Sequence, residues 1–307
     1  MLKLLSNINQ RFIHLAVKGI SVMFGILITT IATASESELS INLGQLNGYL
    51  DNRLGGNMQD RYINSIQTVN DNRLLLQLRS DLIISDIVLN IRAGNARYRL
   101  RVLDTVSRNE TVAKDSIWSS SAQRDYYSES VSKARFGQWE VAVANRYNGV
   151  DYGAGIEKTA ISFYNHDGVE RYDLVPGYAV VQDGSVLDYS IWYLMPYFSV
   201  AYPFTAPQNK LEFEVSLQWS PWVSAAENET HYWRGYRAGS DLSGSGYKFN
   251  LQSAYRLDSR TRLNLIYTSS QLSLSGQRSY EDYDIITIDQ RQTLRQWGML
   301  LGLTFLL

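Results

Sequence analysis

The chain has 307 residues, with 29 lysines and arginines against 30 aspartates and glutamates, and no cysteine. That balance argues against a nucleic-acid partner, and the absence of cysteine excludes thiol catalysis, cysteine-based zinc sites and disulfide support. The 21 tyrosines and 7 tryptophans against 5 prolines favour strands and suit aromatic belts at a membrane interface.

Residues 1–34 read as a secretory signal peptide. Lys3, Arg11 and Lys18 make a positive leading region, 19–31 is apolar, and Ala32-Thr33-Ala34 is a small-x-small cleavage site. A membrane anchor is the alternative, but the apolar run is shorter than the ~20 residues a spanning helix needs. The leader carries three basic and no acidic residues, so its removal takes the net charge from −1 to −4. Residues 35–307 read as one domain. They contain no further apolar run long enough for a helix across a bilayer, so any crossing must use strands.

Ten stretches have strand character: 38–50, 70–83, 95–105, 130–147, 150–165, 186–204, 209–224, 244–257, 260–276 and 291–306. In the fourth, Trp139, Val141 and Val143 alternate with Gln138 and Glu140. In the tenth, Trp297, Met299, Leu301, Leu303 and Phe305 alternate with Gln296, Gly298, Gly302 and Thr304. Such alternation marks one apolar and one wet face on each strand. Links such as 205–208 and 258–259 are tight, whereas 51–69, 106–129, 166–185, 225–243 and 277–290 are long and polar. A soluble sandwich also alternates. The leader, the strand lengths and the regular exchange of short and long links favour an all-β, ten-stranded antiparallel transmembrane β-barrel that protrudes from the outer membrane, with both termini at the periplasmic end.

The stretch 209–232 is the most informative. Leu211, Phe213, Val215, Leu217 and Trp219 share one face, and Glu212, Glu214, Ser216 and Gln218 the other. The chain then passes Pro221 and Trp222 to Glu227-Asn228-Glu229-Thr230-His231. By parity, Glu229 and His231 share the apolar face. A single slip of phase, for which Pro221 is a plausible bulge, would turn them to the lumen. Asn165-His166-Asp167-Gly168 reads as a tight turn. Two distant histidines, no cysteine and no HExxH motif offer no metal site.

Several ordered segments resemble the omptin family of outer-membrane endopeptidases. They are Ile41-Asn42-Leu43-Gly44-Gln45-Leu46-Asn47-Gly48, Ala154-Gly155 with Ser162-Phe163, Met195-Pro196-Tyr197, and Trp222-Val223 leading to Asn228-Glu229-Thr230-His231-Tyr232. The resemblance implies a ten-stranded barrel with catalytic groups at its extracellular mouth. It places the family histidine on His231, its partner aspartate on Glu229, and the opposing Asp-x-Asp-Trp on Asp115-Ser116-Ile117-Trp118, so that Ile117 replaces one aspartate. It also implies that Glu227 receives a basic substrate side chain, with a second such position near Asn52, beside Asp51. The family's lipopolysaccharide-binding cluster is not recovered: its positions fall on Ile156, Lys158, Ala160 and Trp192, which argues against lipid activation in the family's manner. No cofactor is implied.

Peptide hydrolysis without a serine or cysteine nucleophile needs an activated water. A histidine can take that water's proton if a carboxylate stabilises the imidazolium. Residues 229 and 231 leave the same face of an extended chain, as such a pair requires. On the resemblance, His231 is the base, Glu229 its orienter and Asp115 the water-positioning group, in a monomer that sits in outer-membrane lipid and cuts polypeptides near basic residues. The alternatives are a catalytically impaired barrel serving as an adhesin or surface scaffold, which Ile117 and Glu229 favour, and a passive porin.

Overall fold

The computed structural model describes residues 36–60, 66–106, 111–119, 124–172, 179–206, 210–232, 235–281 and 283–307; the expected leader lies outside them. The described chain is organised as strands β1 (Glu36–Asp60), β2 (Ile66–Ala93), β3 (Ala96–Thr105), β4 (Thr111–Ser119), β5 (Arg124–Tyr147), β6 (Val150–Tyr172), β7 (Ala179–Thr205), β8 (Leu211–His231), β9 (Tyr236–Arg256), β10 (Thr261–Tyr280) and β11 (Tyr283–Leu306). They form one sheet, in which each described ladder is antiparallel and β1 pairs with β11. The ring closes at β3, which pairs with both β2 and β5. β4 continues the same wall above β3, pairing with β5. The barrel thus has ten walls, and the third is split in two. At the level of β3 the ring is closed by ladders on both sides, the condition for putting backbone into hydrocarbon.

One end of the ring holds the termini and the connections 93–96, 147–150, 205–211 and 256–261. The Asn148-Gly149 corner has φ of 50° and 80°, the positive values that a two-residue hairpin requires and that Asn-Gly supplies. At the opposite end the strands run further than their sequence pattern suggests. The stretches expected to be long loops, 51–69, 166–185, 225–243 and 277–290, are largely strand. In 106–129 the missed element β4 appears. Two-faced hydrophobic patterning stops where the wall leaves the membrane, but backbone pairing with neighbouring strands does not. His166 and Asp167 likewise lie within β6, at a register shift where Asp167 has φ 52°, so the expected turn is a bulge.

Outward-facing Ile41, Leu43, Val102, Trp139, Val200, Leu217, Trp219, Leu265, Met299 and Leu301 are exposed in a band next to the terminal end. In β8 this band ends at Trp222 and in β10 at Tyr267. Inside it the barrel is filled. Arg101 donates to Asp86 through Nε at 2.6 Å and Nη2 at 3.2 Å, and Asn42 donates to the same carboxylate at 3.1 Å. Lys248 pairs with Glu157 at 2.7 Å. Above these, Leu50, Ile84, Phe163, Tyr189, Ile191, Met195 and Leu294 make a buried apolar layer. A cavity of about 380 Å³ opens at the terminal end, where Arg97, Arg99 and Arg262 are paired with Asp151, Glu214 and Glu38. The packed layer above it does not fit the passive-porin expectation.

The belt makes a direct prediction. Leu301→Arg places a charge on the lipid face beside Leu43 and should lower stability by about 2–4 kcal/mol if it sits near the bilayer centre. Thr304→Ser, on the interior face, should change stability little. Urea unfolding in lipid vesicles compares the two.

Candidate functional site

β8 carries one more residue than either neighbour across a short span. Its register against β9 shifts between Ser220 and Val223, and that of β7 against β8 shifts between Leu194 and Phe198. Pro221 and, on β7, Pro196 fall within these shifts, and neither can donate to a ladder. Below the bulge the buried positions of β8 are even (Ser216, Gln218, Ser220); above it they are odd (Val223, Ala225, Glu227, Glu229, His231). The expected slip of phase therefore occurs at Pro221. A one-residue shift moves every later side chain to the other face, and so Glu227, Glu229 and His231 turn inward, 2%, 5% and 7% exposed. Glu229 lies seven residues beyond the last belt residue of β8, roughly 20 Å along the strand, so the group is clear of the membrane-spanning segment.

Glu227 and Glu229 meet a partner that the sequence reading did not single out. Arg278 of β10 is 2% exposed; its Nη1 donates to Glu227 at 2.9 Å and its Nη2 donates to Glu229. Glu227 also accepts from Tyr189 of β7 at 2.6 Å, and from Gln290 and Gln292 of β11 at 2.7 and 2.9 Å. The Ser240 hydroxyl of β9 lies 3.0 Å from it, and Gln290 donates onward to Asn52 of β1 at 2.9 Å. One polar cluster thus ties together six consecutive walls, from β7 round to β1. Glu229 accepts a second bond from the Tyr236 hydroxyl at 2.9 Å. The Tyr236 ring lies 5.1 Å from that of His231 and 5.3 Å, edge-on, from that of Tyr280, over which the Arg278 guanidinium sits at 5.2 Å.

Charge sets the ionisation here. Burial alone would push the Glu229 carboxyl up, but Arg278, and with it the bonds from Arg278 and Tyr236, outweigh burial and hold it below the usual carboxylate range. Burial pulls the Arg278 guanidinium down, and Glu229, Tyr280 and Glu227 more than reverse that, so it stays charged.

The other expected residues sit elsewhere. Asp51 follows the buried, inward-facing Leu50 and precedes the buried Asn52, so strand parity turns it to the outer face, where Arg53 lies 3.4 Å away. Asn52 joins the interior cluster through Gln290, while Asp51 is 9% exposed beside it. Glu227 does point inward, but the cation it meets is the protein's own Arg278. Asp115 pairs in register with Ser128, and Ile117 with Tyr126; the side chains of Asp115, Ile117 and Trp118 lie outside the described residues. A signal for Arg278 was available: Leu272 and Leu274 are buried on the even face of β10, and Arg278 continues that face. The expected strand 260–276 ends two residues before it. Among the described residues no group of three or more His, Asp or Glu side chains could hold a metal ion.

A closed antiparallel ring with a lipid-facing belt and a filled, polar-capped interior defines a bacterial outer-membrane β-barrel. The sequence model of the Omptin family matches residues 104–281, and the chain belongs to that family, which is of the outer-membrane protease type. Its fold is similar to the crystal structure of the outer membrane protease OmpT from Escherichia coli, with a TM-score of 0.67 at 14% identity over 90% of this chain and 98% of that one. The toluene transporter TodX of Pseudomonas putida aligns over 88% of this chain and 90% of its own at 8% identity, with a TM-score of 0.33, too remote to bear on the fold. No curated protein sequence matches the chain.

Two predictions follow from the cluster. Arg278→Ala leaves two buried carboxylates without their countercharge and should cost about 3–5 kcal/mol in chemical unfolding. Because Glu229 has a folded-state value below its ordinary 4.5, the stability it adds is present above that pH and is lost as pH falls through the lower folded value. The difference in unfolding midpoint between the protein and Glu229→Gln should accordingly hold from neutral pH down to about 4.5 and shrink as pH falls from there through the lower folded value.

Proposed function

We propose that the chain is an outer-membrane endopeptidase that hydrolyses polypeptides at its extracellular mouth by a water activated through His231. The observation that carries this reading is the inward turn of Glu229 and His231 above the bulge, with Glu229 held ionised beside the imidazole. In this reading His231 is the general base. Glu229 stabilises the imidazolium by its charge, and Asp115, delivered from β4, holds the water from the opposing wall. The protein acts as a monomer in outer-membrane lipid and needs no cofactor, and residues 1–34 direct it there. The resemblance also implies a preference for basic residues; Glu227, which would receive one, is here bonded to Arg278, and Asn52 joins the same cluster through Gln290.

A second reading, a catalytically impaired barrel serving as an adhesin or scaffold, is favoured by Ile117 and by the engagement of both Glu227 and Glu229 with Arg278. Whole cells displaying the protein, given a mixed fluorogenic peptide library, decide between them. Hydrolysis should appear with the native chain and fall to background with His231→Ala. Ile117→Asp should raise the rate if the site works one carboxylate short. No cleavage by the native chain and no gain from Ile117→Asp would leave the scaffold reading.

A further inference from the structure

Tyr236 has no step in the hydrolysis proposed above, yet it touches both members of the pair. The β8–β9 ladder sets it directly opposite His231, and it shares the inward parity of the buried Ala238 and Ser240. Its hydroxyl donates to Glu229 Oε1 at 2.9 Å, while Arg278 donates to Oε2. Its ring lies 5.1 Å from the imidazole, tilted by 37°, and Tyr280 of β10 meets the same ring edge-on at 5.3 Å. Across the other ladder the residue opposite His231 is the buried, apolar Leu187 of β7, so of the two flanking positions only Tyr236 carries a polar group. Among the described side chains, the charged and titratable groups around the pair are Glu227 on β8, Tyr189 on β7, Tyr236 on β9, and Arg278 and Tyr280 on β10; β11 and β1 contribute the neutral Gln290, Gln292 and Asn52. Two carboxylates and one guanidinium leave one negative charge, which an imidazolium at His231 would balance. A tyrosine O–H and an imidazolium N–H are competing donors for one carboxylate. Burial opposes the ionisation of Glu229, and Arg278, the Tyr236 hydroxyl and a charged His231 favour it. The donor at Oε1 draws on charge that would otherwise act on the imidazolium, and so restrains its tendency to keep a proton. A general base needs that restraint, because only the neutral imidazole can accept the proton of water.

We propose that Tyr236 is a positioning residue for the water-activating pair: its ring fixes the plane of the His231 imidazole, and its hydroxyl shares the Glu229 carboxylate with it. This rests on the hydrolytic reading for its consequence in cleavage, but the coupling itself is measurable without a substrate. His14, His166 and His231 are the only histidines, so their imidazole Cε1–H signals can be followed through a pH titration in detergent micelles. Tyr236→Phe keeps the ring and removes the donor. It should raise the proton affinity of His231 roughly threefold or more, leave His166 unmoved, and have no such effect in a Glu229→Gln background. An unchanged or lowered affinity at His231, or an equal rise when Glu229 is already glutamine, overturns the proposal.

In cleavage, the acid limb of kcat/KM should move to higher pH in Tyr236→Phe, in step with the His231 titration. Tyr236→Leu, which removes ring and hydroxyl together, should lower kcat roughly tenfold or more with KM little changed. A native kcat in Tyr236→Leu, or a change confined to KM, overturns the proposal. Absence of cleavage by the native chain counts against the hydrolytic reading alone, and the titration then decides whether Tyr236 couples Glu229 to His231.

Discussion

A strand has two faces and no third, and in a closed ring those faces are lipid and interior. That constraint governs this barrel. Each wall must keep its apolar phase over the belt, and any side chain needed at the mouth must share the inner phase above it. In β8 the two demands conflict, since Leu217 and Trp219 face lipid while Glu227, Glu229 and His231, of the same parity, face inward. The single extra residue around Pro221 resolves the conflict. The irregularity is placed where two prolines had already removed ladder donors, so it costs little additional hydrogen bonding.

Once turned inward, the carboxylates of β8 are taken out of water and need compensation. Arg278 supplies it from β10, and Gln290, Gln292, Tyr189 and Ser240 supply the remaining donors. The same solution recurs lower in the barrel, where Arg101 serves Asp86 and Lys248 serves Glu157. Buried pairs of this kind contribute little net stability relative to apolar packing, but losing one partner is expensive. Their effect at the mouth is geometric: six walls are held in register, and the carboxylate beside His231 is fixed and ionised. Preorganisation of this sort is what the proposed hydrolytic site would use.

Much of the barrel was legible in the alternation of residues such as 297–305, because lipid and interior impose opposite polarity on successive positions. Above the membrane that contrast disappears, since both faces meet water or polar groups. This is why the upper halves of β1, β6, β8 and β10 read as loops, and why β4 went unseen. The bulge at Pro221 could be anticipated, because parity and chemistry disagreed there. The choice between Asp51 and Asn52 depended on the phase of β1 past the point where its pattern fades.

The sequence by itself determined that this chain crosses a membrane with strands, that its membrane-embedded walls are two-faced, and that an acid and an imidazole lie together at the far end of β8. Those properties are local, written in periods of two and in the proline that breaks them. Only the tertiary structure decided what the acids face. Arg278 is about fifty residues from Glu227 along the chain and reaches it because ring closure and strand register bring β10 and β8 to either side of β9. Pairing of charges across a barrel is set by register summed over several ladders, and no local pattern encodes that sum.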